Sequence, residues 1–279
     1  MSETPLFRQS LCKVVVAQSP KHAWQAYLDE QAGVKKTTEA KTRGSYVDAL
    51  LFGVGLDKYE VIDAENYARK ADKALRDEVL SRKLIPIKRK QHEAYVAAKA
   101  AMVAQLAGHG IVLSGRSQVE LRWKSVSTDG TEVECVGTLD HLIVADTWAM
   151  IYDLKSCESA SPDMVAKKMV QFGAHIQREA YVEAVEANYP HLAGRVDMKF
   201  LYAEVNAPYD LNVAAPAGSM RALGARHWRK GVDAWAHGLS TGQWPGYCPN
   251  GTVTMIEAKP WQLAEAMAEV STEEEDDNG

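Results

Sequence analysis

The stretch of this chain that most constrains its fold is TLDHLIVADTWAMIYDLKS, residues 138–156. Two apolar segments flank a turn at residues 146–147, so the stretch predicts a β-hairpin. A hairpin centred there places Asp140 directly across from Asp153, with Cβ atoms about 5 Å apart. Lys155 comes two residues after Asp153 and therefore points to the same face. The hairpin predicts that two carboxylates and one ammonium converge.

Two like charges at that separation repel by about 3 kcal/mol at an effective dielectric near 20. An apolar hairpin needs compensation for this repulsion, and a divalent cation supplies it. Hard oxygen ligands without a nearby His or Cys pair favour Mg²⁺, with Mn²⁺ as a substitute, over zinc. Lys155 would then orient or activate a water and stabilise negative charge on a phosphate. The competing interpretation is a surface Asp–Lys ion pair at a frayed hairpin end, which contributes little.

Composition excludes several classes of protein. No apolar run approaches the roughly 20 residues of a membrane helix, and the N-terminal residues lack the layout of a signal peptide. We therefore expect a cytoplasmic protein without membrane contact. The four cysteines are scattered with no CxxC pair, which disfavours a zinc ribbon and a disulfide framework.

The distribution of charge is uneven. The net charge is −5, and residues 273–277 (EEEDD) contribute five negative charges. Between Arg69 and Lys90 the chain carries nine Lys or Arg against three Asp or Glu. By itself this basic stretch is more typical of a solvated helix face, but it is also suited to phosphate contacts that are independent of base sequence.

The predicted secondary structure changes from helices to strands near residue 110. Helical spacing dominates about residues 1–110, and strands begin near Arg116 with a turn at 129–130. A long helix over about 162–189, a strand at 198–205 and a helix at 220–239 follow. This order predicts an α/β or α+β fold with a central mixed sheet flanked by helices. We expect one domain over residues 1–265, with its sheet-containing core over about 111–265, and a disordered acidic tail over 266–279.

GTLD (Gly137–Asp140) followed by DLK (Asp153–Lys155) resembles the metal-binding strands of the PDDEXK nuclease superfamily. The chain is most similar to exodeoxyribonuclease VIII-like (RecE-type) phage and prophage recombination exonucleases, and the resemblance spans most of its length. Asp153 stands where many members have Glu. The resemblance implies a restriction-endonuclease-like core, catalytic roles for Asp140, Asp153 and Lys155, and the carbonyl of Leu154 as a further metal ligand.

Two other segments resemble the same nucleases. QFGAHIQREAYVEAV is similar to their QxxxY helix, which implies that Gln177 and Tyr181 hold DNA or the active-site strands. TRGSYVDALLFG is similar to a helix that carries a metal-binding His, and Asp48 stands at that position here. A carboxylate also binds Mg²⁺, so the implied metal ligands are Asp48, Asp140 and Asp153. Without the resemblance, residues at such spacings are more often packing or surface residues.

The resemblance implies a Mg²⁺-dependent exodeoxyribonuclease that degrades one strand of linear double-stranded DNA from its 5′ end. The product would be a single-stranded tail for recombination. The implied partners are double-stranded DNA ends, a single-strand annealing protein and further copies of the chain in a ring-like homo-oligomer. Two alternatives stay open, namely an endonuclease of restriction or repair with the same metal site, and a DNA-binding scaffold without catalytic activity.

Overall fold

The computed structural model describes residues 4–34, 38–248 and 251–264. The acidic tail that we expect at 266–279 lies outside the described residues. The chain divides into two compact units, residues 1–244 and 245–279, and the first contains the sheet and the long helices. Among the described residues, no helix has both the length and the apolar character needed to cross a bilayer.

The first unit contains eight α-helices and seven strands among its described residues. In chain order these are α1 (Gln9–Ala17), α2 (Pro20–Gln31), α3 (Glu39–Phe52), β1 (Tyr59–Ile62), α4 (Lys70–Ser81), β2 (Ile85–Lys88), α5 (Arg89–Gly108), β3 (Arg116–Val126), β4 (Glu132–Val144), β5 (Ala149–Cys157), α6 (Pro162–Gln171), α7 (Ala174–Asn188), β6 (Val196–Glu204), β7 (Leu211–Ala214) and α8 (Gly218–Thr241). Short 3₁₀ turns lie at Leu56–Lys58 and Pro190–Leu192.

The central sheet has the strand order β3-β4-β5-β6-β7. Strands β3, β4 and β5 form an antiparallel meander, β6 lies parallel to β5, and β7 pairs antiparallel with β6. A parallel pair cannot be joined by a tight turn, so α6 and α7 provide the crossover between β5 and β6. The prediction of a mixed sheet flanked by helices is confirmed.

Both faces of the sheet are buried. Ile151 and Phe200 belong to one apolar cluster with residues of α1, α7 and α8, whereas Tyr152 and Leu201 belong to a second cluster with residues of α3 and α5. Successive strand residues point to opposite faces, and each face meets helices. This arrangement explains why β5 is apolar along most of its length instead of alternating with polar residues.

Trp244 packs within the first unit. Its ring stacks on Trp24 at 4.4 Å between centroids and meets Trp235 at 4.9 Å. A Cβ at Gly238 would lie 2.3 Å from the Trp244 ring, so only glycine leaves room for it.

The structure corrects two predictions about local structure. The helix predicted over about 162–189 is two helices, because Gly173 adopts a φ of 68° between α6 and α7. The helical first part also contains the parallel pair β1–β2, and the sheet gains β7. These strands have four residues each, which is too short for an alternating pattern to distinguish them from loops.

Candidate active site

The acidic hairpin is formed by β4 and β5. The backbone N–H of Ala145 donates to the carbonyl of Trp148 at 2.9 Å, which closes the turn at residues 146–147. Pairing runs back as far as His141 opposite Tyr152, so the register is the one that this turn predicts. One step further Asp140 would face Asp153, and there the ladder ends.

Asp140 lies where pairing is interrupted on both sides of β4. Towards β5, its Oδ2 accepts a hydrogen bond from the backbone N–H of Leu154 at 3.1 Å. Towards β3, the ladder omits the pair between Asp140 and Gln118, although the residues on either side are paired. Gln118 has a φ of 52°, a conformation rare for a residue with a side chain. The sheet therefore opens locally at the first acid of the hairpin.

Asp153, Lys155 and Gln177 form a closed group of contacts. Asp153 is only 1% exposed, and its Oδ1 forms an ion pair with Nζ of Lys155. Nε2 of Gln177 donates to Asp153 Oδ2, while Oε1 of Gln177 accepts from Lys155 Nζ at 3.0 Å. Since Gln177 lies on α7, one side chain of the crossover helix holds both charged residues of β5.

Asp48 approaches the site from α3. Its Oδ2 accepts a hydrogen bond from Nε2 of Gln118 at 2.7 Å. Its Oδ1 is buried and has no hydrogen-bond partner among the described residues. Asp48 also lines a cleft of about 240 Å³ whose other lining residues include Lys58 and Tyr59. A buried carboxylate oxygen without a donor is costly unless a cation or water satisfies it.

The three acids perturb one another. Burial raises the pKa of Asp48 to about 6, and the charge of Asp153 adds to the effect. Burial, then Asp153 and then Asp48 raise the pKa of Asp140 well above its usual value. Burial opposes the charged form of Lys155, but the nearby carboxylates raise its pKa on balance. Carboxyl groups whose pKa is raised in this way are stabilised by a bound proton or by a cation.

The donor chemistry of these acids fits a hard divalent cation. The unpartnered Oδ1 of Asp48 and the mutual repulsion of the carboxylates both favour one. Among the described residues, however, no three His, Cys, Asp or Glu side chains already lie close enough to hold a metal ion. Both oxygens of Asp153 contact Lys155 or Gln177, so Asp153 would have to exchange one of these contacts to become a ligand.

Gln177 and Tyr181 lie one helical turn apart on α7 and are 6% and 5% exposed. Burial and then the charges of Asp153 and Asp140 raise the pKa of Tyr181, while the side chains of Gln177 and Gln9 act in the opposite direction. A Cβ at Gly137 would lie 2.7 Å from Cε1 of Tyr181, so the glycine of GTLD leaves room for the tyrosine of QxxxY. These contacts favour a role in holding the active-site strands, and direct contact of either residue with DNA stays a prediction.

Two residues of the site were missed from the sequence. Gln118 is the partner of Asp48, and no motif distinguishes it. Lys13 lies on α1, and its stem occupies the space where Gly173 would carry a Cβ. Burial and the charge of Lys155 lower the pKa of Lys13, while Asp153 acts in the opposite direction. Its interruption of the apolar run LCKVVV was the one available signal.

Comparisons with known proteins agree with the fold. A model of the PD-(D/E)XK nuclease superfamily matches residues 20–250. No curated protein sequence matches the chain significantly. The crystal structure of a candidate exonuclease from Eubacterium rectale is similar in fold, with a TM-score of 0.55 and 15% identity over 93% of this chain and 92% of that chain. The structure of SSO0001 has a TM-score of 0.30 and 11% identity over 67% of this chain and 84% of that chain, which is too low to carry an argument. Because the family model covers well over half of the sequence, the chain belongs to the PD-(D/E)XK nuclease superfamily.

Proposed function

We propose that the protein is a metal-dependent deoxyribonuclease that hydrolyses phosphodiester bonds at the acidic hairpin. The observation that carries this proposal is the contact group of Asp153, Lys155 and Gln177, with Asp140 and Asp48 beside it. Membership of a nuclease superfamily supports DNA as the substrate. PD-(D/E)XK nucleases generally use divalent metal ions, and the all-oxygen donor set favours Mg²⁺, with Mn²⁺ as a substitute.

In this proposal Asp48, Asp140 and Asp153 hold the cation. When bound, the cation supplies a Lewis acid that activates water and neutralises charge on the phosphate. Lys155 stabilises the negative charge that develops on the phosphate, because its ammonium is held beside the acids. Gln177 restricts the positions of Asp153 and Lys155, and such pre-organisation lowers the cost of reaching the reactive geometry.

Lys13 contributes a second ammonium near the reacting phosphate. It makes no hydrogen bond or ion pair with the residues that the structure describes, so its charge is available to an anion. Its methylene groups pack against Gly173, which lies at the start of α7, one turn before Gln177. This contact fixes the direction of the Lys13 side chain.

We further propose that the enzyme is an exonuclease that degrades one strand of linear duplex DNA from the 5′ end. The sequence resemblance supports this specificity, as does the description of the Eubacterium rectale protein as a candidate exonuclease. By the same resemblance the product is a single-stranded tail for a strand-annealing partner, and the working form is a ring-like homo-oligomer. An endonuclease with the same metal site is the second candidate, since the site chemistry does not depend on a DNA end.

End-labelled linear duplex, labelled at the 5′ or the 3′ end, tests the proposal when incubated with Mg²⁺ or with EDTA. We expect Mg²⁺-dependent release of the 5′ label first and no cleavage of covalently closed circular DNA. Asp153→Asn should reduce the rate about a hundredfold or more. Asp146→Asn, in the exposed turn of the same hairpin, is the matched control and should keep the wild-type rate.

The other outcomes separate the alternatives. Cleavage of closed circles would establish the endonuclease instead. Duplex binding without hydrolysis in Mg²⁺ or Mn²⁺ would indicate a scaffold without catalytic activity. An Asp153→Asn variant with the wild-type rate would remove the hairpin from the active site.

A further inference from the structure

The basic stretch Arg69–Lys90 has less unpaired positive charge in the folded protein than its sequence suggests. All four of its arginines form ion pairs with acids: Arg69 with Glu65, Arg76 with Asp77, Arg82 with Glu60 and Arg89 with Asp63. None of its five lysines forms an ion pair with a described residue. The positive charge that is left for an external phosphate therefore belongs to the lysines and to any unpaired arginine nearby.

One cleft brings such an arginine and such a lysine together. It has a volume of about 310 Å³ and lies between the first half of α3, β2 and the start of α5. Arg43 lines it and makes no hydrogen bond or ion pair with the described residues, although its Nε is buried. Lys88 also lines it, and its Nζ lies over the ring face of Tyr67, 5.0 Å from the ring centroid.

The remaining lining suits a nucleotide. Thr42, Gln91 and the tyrosines at 67 and 95 carry polar hydrogens, and Pro86 and Ile87 add apolar surface. Glu39 is the one acid among the lining residues, so the two cations exceed it by one charge. An unpaired guanidinium beside an ammonium is a typical recognition site for phosphate.

The position of the cleft relates it to the acidic site. Arg43 and Asp48 lie on the same helix, five residues apart, which corresponds to about 7.5 Å along its axis and about 140° around it. The two side chains therefore leave α3 at nearby levels along its axis but in different directions.

We propose that this cleft is a second subsite for the substrate strand, which binds a nucleotide a few steps from the phosphate at the acidic site. Arg43 and Lys88 contact its phosphate, and the apolar wall covers its sugar or base. The inference rests on the proposed function, since it takes DNA as the ligand of the acidic site.

Salt dependence of DNA binding tests the phosphate contacts without hydrolysis. Affinity for a fluorescent oligonucleotide duplex with a single-stranded end would be measured by anisotropy in EDTA at several NaCl concentrations. Each lost phosphate contact lowers the slope of log K against log salt by about 0.7–0.9. Lys88→Gln and Arg43→Gln should each show this loss. Lys73→Gln, an exposed lysine of the same basic stretch that does not line the cleft, should keep the wild-type slope.

A scan with single methylphosphonate linkages then locates the contact. In the wild type, a neutral linkage at one position a few steps from the cleaved bond should weaken binding several-fold. In Lys88→Gln, where Arg43 is still present, the same linkage should weaken binding less. Melting temperatures equal to that of the wild type would show that the variants are folded. If Arg43→Gln does not fold, Lys88→Gln alone provides the test.

Three results would overturn the subsite. Wild-type slopes in both cleft variants would do so, as would a slope in Lys73→Gln that falls as much as in Lys88→Gln. A linkage effect as large in Lys88→Gln as in the wild type would do so as well. Failure of the proposed function is a separate result, because it appears as absent hydrolysis in Mg²⁺ while binding in EDTA is unaffected. A protein that binds no DNA at all would overturn both.

Discussion

Replacing Asp48 by Asn should stabilise the metal-free protein while impairing its chemistry. Burial and the charge of Asp153 raise the pKa of Asp48 from 3.8 to about 6, a difference that corresponds to about 3 kcal/mol. Because the folded protein binds this proton more tightly than the unfolded chain, stability falls as pH rises from about 4 to about 6. Above that range the ionised Asp48 destabilises the folded protein by the full amount. Asn keeps an acceptor for the Gln118 amide and removes the charge.

Urea unfolding in EDTA, followed by tryptophan fluorescence, measures the effect. We expect Asp48→Asn to raise the free energy of unfolding by up to about 3 kcal/mol at pH 7.5 and to leave it unchanged below about pH 4. Asp57→Asn, at an exposed acid nearby, should change neither value. A Mg²⁺ concentration a hundred times the dissociation constant should add about 2.7 kcal/mol to the wild type and less to Asp48→Asn. Destabilisation of Asp48→Asn at pH 7.5, or equal stabilisation of both proteins by Mg²⁺, would refute the reasoning.

Three further substitutions test the rest of the site. Lys155→Met leaves the buried carboxylate of Asp153 without its cation. It should lower the free energy of unfolding in EDTA by about 3–5 kcal/mol, measured by urea denaturation. It should also abolish Mg²⁺-dependent hydrolysis, measured as nucleotide release. Gln177→Leu removes two hydrogen bonds to charged groups, each contributing about 1.5–3 kcal/mol. It should reduce kcat while the dissociation constant for duplex DNA stays unchanged, whereas weaker binding with an unchanged kcat would indicate contact with DNA instead. Gly137→Ala places a Cβ 2.7 Å from the ring of Tyr181. We expect it to lower the free energy of unfolding by about 1–3 kcal/mol, measured by thermal unfolding, and to lower kcat. A wild-type melting temperature would show that the two motifs do not pack as described.

Local patterns predicted the elements that are long and regular. Strand β3 begins at Arg116 as predicted, β3 and β4 flank the predicted turn at 129–130, and α8 spans the predicted helix. Alternation and helical spacing persist there over enough residues to be distinctive. The short strands β1, β2 and β7 were missed, since pairing with distant partners stabilises them more than their own residues do. The break at Gly173 was missed because a glycine inside a helical pattern is often tolerated.

The basic stretch illustrates a different limit. Its charge count in the sequence predicts a positive surface, but the partners of three of its arginines, Glu60, Asp63 and Glu65, precede the stretch and belong to another strand or a loop. Whether a charge is free for a ligand depends on which side chains meet in space. The sequence therefore indicated where positive charge is concentrated, and the structure decided which cations remain unpaired.

By itself, the sequence determined the hairpin, and with it the placement of Asp140, Asp153 and Lys155 around one spot, because strand period and turn position are local properties. The family resemblance named Asp48 and Gln177, but only the tertiary structure decided how they and Lys13 reach that spot. Asp48, Gln177 and Lys13 arrive from α3, α7 and α1, and their positions follow from how helices cover the two faces of the sheet. Contacts between such distant segments depend on the packing of the whole core, which no short stretch of residues encodes.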